Sequence, residues 1–210
     1  MLIEGVDITR PSHASIKIIT PAQHYIYIDP FQIQEGEKAD YLFITHEHYD
    51  HCSIADIKKI IKPETIVITV PDCQSKLAGL PIKEVKLVKP GDYLHLPYTE
   101  VQVLPAYTVK THFHHRDNQW VGFAIRINGK IYYYVGDSDV IPEMKNLQGI
   151  DVMFVPVAGQ ITMDAKEAAQ LVNYLKPKIT IPVGYGSVMG TQQDAEMFKS
   201  LVQGSNVILL

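Results

Sequence analysis

The chain has 210 residues, 46% of them hydrophobic, with 19 Lys and Arg against 23 Asp and Glu and a formal net charge of -4. That length suits one well-buried core, read here as a single domain over 1–210. The mild acidity excludes the broad basic footprint that nucleic-acid backbones require. The first residues, Met1-Leu2-Ile3-Glu4-Gly5-Val6-Asp7, lack a signal peptide's positive and then apolar pattern, and no apolar run is long enough to span a membrane. Two cysteines, Cys52 and Cys73, make no disulfide framework. These features point to a cytoplasmic protein with no nucleic-acid or membrane partner, and leave room for a small-molecule substrate, acidic or neutral, held by local charge.

In chain order, Ile16–Ile19, Tyr25–Ile28, Tyr41–Thr45 and Ile66–Val70 are short β-rich apolar runs and predict strands. Between the third and fourth, the apolar positions 54, 57, 60 and 61 follow helical spacing, with Pro63 just beyond. Tyr93–Leu96, Val101–Leu104, Trp120–Ile127 and Ile131–Val135 predict further strands. The last two flank Asn128-Gly129, the dipeptide suited to a two-residue hairpin. Asp151–Val157 reads as a buried strand, and Asp164-Ala165-Lys166-Glu167 as a capping box opening a helix to about Leu175, before Pro177. Ile179–Val183 predicts a strand, Thr191–Val202 a helix stopped by Gly204, and Asn206–Leu210 a closing strand. Strands and helices mixed in this way predict a layered α/β fold.

The chemistry is concentrated in Thr45-His46-Glu47-His48-Tyr49-Asp50-His51. His46 and His48 lie where the chain leaves a strand, so their imidazoles can converge on one ion. Asp50 and His51 follow where a helix is expected to begin, adding a carboxylate and a third imidazole. Nitrogen and oxygen donors of this kind suit zinc, and also manganese or iron. Four of them within six positions can serve two adjacent ions that hold a hydroxide for attack on an ester, lactone or phosphoester.

The pattern His46-x-His48-x-Asp50-His51 resembles the HxHxDH signature of the metallo-β-lactamase-fold superfamily. Asp29-Pro30, Pro105-Ala106-Tyr107, Trp120-Val121-Gly122-Phe123, Gly136-Asp137-Ser138-Asp139 and Ile181-Pro182 before Tyr185-Gly186 extend the likeness over nearly the whole chain. The nearest likeness is to small stand-alone hydrolases related to ascorbate-phosphate lactonases. The resemblance implies a four-layer αββα sandwich and one or two metal ions, most simply zinc. It implies that His46 and His48 hold one ion, that Asp50 and His51 hold a second, and that Asp137 bridges them. Asp50 is also the candidate catalytic residue, orienting a water or taking its proton.

Two positions depart from that pattern. Thr108 stands where an imidazole usually follows the Pro-Ala-aromatic segment, and Gly184 stands where another is expected before Tyr-Gly. Candidates to replace them, or to meet substrate, are His112, His114 and His115, with Arg116 as an anion contact; Tyr185 is a further substrate candidate. His13, His24 and His95 have no companions and read as structural or exposed; Cys52 reads as a buried free thiol. The reading is therefore a metal-dependent hydrolase using a metal-bound hydroxide, with a catalytically degenerate binding or regulatory protein as the alternative.

Overall fold

The computed structural model describes residues 1–210, which divide into two compact units, Met1–Val88 and Lys89–Leu210. Each unit is built on one seven-stranded mixed sheet accompanied by helices.

In the first unit the strands run β1 (Leu2–Ile3), β2 (Val6–Thr9), β3 (Ile16–Ile19), β4 (Tyr25–Ile28), β5 (Tyr41–Ile44), β6 (Ile66–Thr69) and β7 (Glu84–Leu87), in that spatial order. The first four pair antiparallel and β4 to β7 pair parallel. Burial follows pairing: β2 alternates buried and exposed, whereas all four residues of both β5 and β6 are buried. Helix α1 (Ile54–Ile60) joins β5 to β6 and buries Ile57 and Ile60. A short helix, α2 (Gln74–Leu77), precedes β7.

In the second unit β8 (Tyr93–Leu96), β9 (Thr99–Pro105), β10 (Val121–Ile127) and β11 (Lys130–Tyr134) form an antiparallel meander. The parallel strands β12 (Val152–Pro156), β13 (Ile179–Val183) and β14 (Asn206–Val207) follow. Asn128 and Gly129, both at positive φ (48° and 78°), make the expected two-residue turn between β10 and β11. The capping box also forms: Asp164 accepts from the Lys166 and Glu167 amides, and Glu167 from the Asp164 amide, opening α3 (Ala165–Leu175). Helix α4 (Gln192–Leu201) lies against α3, and both cover a core containing Tyr133, Met153, Val155, Leu171 and Phe198.

Three expectations are corrected. Asp50 and His51 do not begin a helix: the His48 carbonyl accepts from both the His51 and Cys52 amides, closing a separate turn. Ser53 then caps α1 from an extended backbone conformation. The stop of α4 is Val202, which turns extended before Gly204 is reached. The closing strand is limited to Asn206 and Val207, with one further bond from the Ile208 amide to Thr180.

Candidate metal centre

Chemistry-bearing residues gather where parallel strands end. In the first unit Asp29 follows β4 and the 45–51 segment follows the adjacent β5, so both leave the same end of one parallel pair. Open α/β sheets place ligand sites at such strand ends.

Asp29 organises this site. Its carboxylate is fully buried and its backbone is left-handed (φ 46°). Oδ1 accepts the Thr45 amide at 2.8 Å, while Oδ2 accepts the Thr45 hydroxyl at 2.7 Å and faces His51 Nδ1 at 2.7 Å. Thr45 Oγ1 also lies 2.9 Å from His46 Nδ1. A hydroxyl has one proton, and that of Thr45 goes to the carboxylate. His46 must therefore donate from Nδ1 to Thr45, and His51 from Nδ1 to Asp29. Both rings are left with an Nε2 lone pair, the form in which imidazole binds a metal.

His46, His48 and His51 form one packed group. The ring centroids of His46 lie 4.6 Å from His48 and 4.1 Å from His51, and His46 Nε2 lies 3.0 Å from His48 Nδ1. Asp50 is buried beside them, with Oδ2 3.7 Å from His51 Nε2. Lys76 ties the intervening Glu47, donating to its carbonyl and pairing with its carboxylate at 3.1 Å. Three imidazoles and a carboxylate, two of the rings with their tautomers set through Asp29, are donor types that suit zinc, manganese or iron.

The second unit holds a smaller constellation. Asp137 follows β11, and its Oδ2 lies 3.2 Å from Nε2 of His114, which is fully buried and packs edge-on to Trp120. The turn after β11 also sets the loop that carries this histidine. Asp139 Oδ2 accepts the Val109 and Lys110 amides at 2.8 and 3.0 Å, and the Asp139 amide donates to the Tyr107 carbonyl. The Thr108 amide donates to the His114 carbonyl, while its hydroxyl donates to the Thr111 carbonyl at 3.1 Å. Thr108 thus gives its side chain to the loop, and the loop returns an imidazole six residues later.

The other candidates in the second unit have varied surroundings. His112 and His115 are exposed, with ring centroids 6.3 Å apart. Arg116 lies over the Tyr107 ring and pairs with Glu143 at 3.0 Å. Tyr185 is buried in the core cluster of its unit. Gly184 ends β13 at φ +73°, and a Cβ there would meet nothing closer than Pro156 at 3.7 Å. Cys52 and Cys73 are free and buried, as read for Cys52. His13, read as structural or exposed, is buried with Nε2 3.6 Å from Asp50 Oδ2, a proximity that its isolation in sequence could not reveal. The reach of Asp29 was likewise hidden, because its partners lie 16 and 22 residues away.

The β-lactamase superfamily domain matches residues 7–184, and this decides the family. The chain belongs to the β-lactamase superfamily. Within it, the chain is similar to a UPF0173 protein of Pyrococcus abyssi, 32% identical over 197 residues, covering 88% of this chain and 85% of that one. A UPF0173 metal-dependent hydrolase of Lysinibacillus sphaericus is 26% identical and covers 98% and 96% of the two chains. Among solved structures, a candidate metal-dependent hydrolase of Parabacteroides distasonis is similar at TM-score 0.84 and 31% identity, covering 97% of this chain and 92% of that one. Two mixed sheets with helices, in the metallo-β-lactamase-type α/β fold, are thus the expected class for this superfamily chain. No helix is long and apolar enough to cross a membrane.

Proposed function

We propose that this superfamily member is a metal-dependent hydrolase of a small ester, lactone or phosphoester. The reading is carried by the Asp29 network, which leaves Nε2 of both His46 and His51 as acceptors beside the half-buried His48 and the buried Asp50. Two imidazoles held in one tautomer by a single carboxylate are costly to build without a ligand and suited to holding an ion. His46, His48, Asp50 and His51 are the proposed metal residues, with zinc as the ion and manganese or iron compatible with the donors. The superfamily pattern adds Asp137, and its close partner His114 is proposed in place of the imidazoles absent at Thr108 and Gly184.

A bound divalent ion supplies Lewis acidity, polarising the substrate oxygen and making a water more acidic. The chain supplies the rest. Asp29 holds two rings in their binding tautomers, and Asp50 accepts the proton of the attacking water at a carboxylate oxygen. The names of the UPF0173 metal-dependent hydrolases support the reaction class. The two buried free thiols support a reducing, cytoplasmic location.

The test is metal content by elemental analysis on protein purified without chelator, alongside turnover of generic phosphodiester and lactone substrates. His48→Ala and Asp137→Ala should each lose bound metal and activity together. Undiminished metal and turnover in either variant would remove that residue from the set. Gly184 motivates a second reading, in which the fold is kept as a binding or regulatory protein. A metal-free, inactive protein that gains metal on Gly184→His would favour it; a Cβ there makes ordinary contact with Pro156 at 3.7 Å and carries left-handed backbone strain.

A further inference from the structure

His13 lies in the strap 10–15 between β2 and β3 and is held there in detail. Its backbone is left-handed (φ 42°), an uncommon conformation for a residue with a side chain. Arg10 donates to its carbonyl at 2.9 Å, and the Ser15 amide closes the strap onto Ser12 at 2.7 Å. Ser15, itself buried, bonds the Asp29 carbonyl at 2.6 Å and accepts the Phe31 amide at 2.7 Å. The strap is therefore stapled to the turn that carries Asp29, and the staple presents the His13 ring to Asp50.

Asp50 has a buried carboxylate, which needs donors to offset lost hydration. Two imidazole nitrogens face its Oδ2: His13 Nε2 at 3.6 Å and His51 Nε2 at 3.7 Å. The Asp29 network has already placed the His51 proton on Nδ1, so His51 offers Oδ2 a lone pair. Of these two rings, His13 alone can turn an N–H towards the oxygen. At 3.6 Å the nitrogen stands just beyond direct hydrogen-bond range of Oδ2, near enough for a small turn of either side chain to close the contact.

We propose that His13 is a positioning residue that orients Asp50 in the metal centre, its strained strap serving to aim the ring. The inference rests on the reading of Asp50 as a metal residue given above.

The test measures zinc affinity by competition with a chromophoric chelator in the full-length protein. His13→Gly removes the ring and accepts the left-handed backbone. His13→Asn also tolerates that backbone but is too short to reach Asp50, and it serves if the glycine variant folds poorly. His13→Gln restores an N–H at about the reach of Nε2. Asp50→Asn should weaken zinc binding at least about tenfold, and His13→Gly by roughly tenfold, as for other residues that orient metal ligands. The double variant should bind zinc no worse than Asp50→Asn alone, and His13→Gln should recover most of the loss. Losses that multiply in the double variant would mean that His13 acts on folding generally, and would overturn the proposal. Native affinity in both His13→Gly and His13→Asn, beside a weakened Asp50→Asn, would overturn it while leaving Asp50 in place. Native affinity in Asp50→Asn would overturn the reading of Asp50 and this inference with it.

Discussion

Asp29 touches no substrate in the proposed reaction, yet it governs the protons of two proposed ligand rings at once. Removing one carboxylate oxygen by Asp29→Asn replaces an acceptor with an N–H facing His51 Nδ1 and the Thr45 hydroxyl. The His51 ring would then favour its other tautomer, with the proton on Nε2 and no lone pair there for an ion. We expect zinc affinity to fall by about 10- to 100-fold while the fold persists, measured by chelator competition beside circular dichroism. Unchanged affinity would mean that the tautomers are set by some other group. The same logic separates Thr108 from His114: a hydroxyl committed to its own loop is a poor ligand, and a buried imidazole beside a carboxylate is a good one.

At the scale of elements, α1 matters because it bears on the loops around the site. Its Asp56 is buried and accepts from the Ser53 hydroxyl and the Lys59 ammonium, both at 2.7 Å. It also accepts from the Gln32 and Ile33 amides just beyond the Asp29 turn, at 2.9 and 3.2 Å. Burial would raise its pKa, but the Lys59, Ser53, Gln32 and Ile33 donors outweigh that and hold the carboxyl below its ordinary value. A pKa depressed in the folded state adds stability above the ordinary aspartate range, and that stability is lost as pH falls through the folded value. Asp56→Ala should therefore cost roughly 2–3 kcal/mol near neutral pH, from several donors left unsatisfied. The difference from the parent should shrink below about pH 4. Denaturant melts at pH 7 and pH 3.5 check this; a gap equally wide at both would refute the assignment.

For the molecule as a whole, a metal held by the folded chain alone must stabilise it by mass action. Zinc at about 100 times its dissociation constant adds about 2.7 kcal/mol, so chelator should lower the thermal midpoint and added zinc should restore it. A midpoint indifferent to both would count against the metal centre. How far this molecule could be read in advance depended on whether the deciding interaction was local. The Asn128-Gly129 turn, the Asp164–Glu167 capping box and the 46–51 cluster were legible because each is complete within a few residues. The hairpin of β1 and β2 went unread because its apolar positions are few, and β7 because its residues are half-buried or exposed. His13, Asp29 and His114 act through partners brought near by the sheets and loops, which no local pattern encodes.

Both sheets list their strands in chain order, one rising from β1 to β7 and the other falling from β14 to β8. Every strand thus pairs only with the strands that precede and follow it along the chain. Such topology keeps loop closures short and allows a sheet to grow by adding each new strand as it is synthesised. The strands carrying Asp29 and the histidine cluster belong to the first unit, which is complete by Val88. All the residues of the tautomer-setting network, Asp29, Thr45, His46 and His51, therefore leave the ribosome before Asp137 is made. On the proposed reading of His46, His48, Asp50 and His51 as metal residues, a chain still being synthesised would carry those nitrogen and carboxylate donors well before its second half exists.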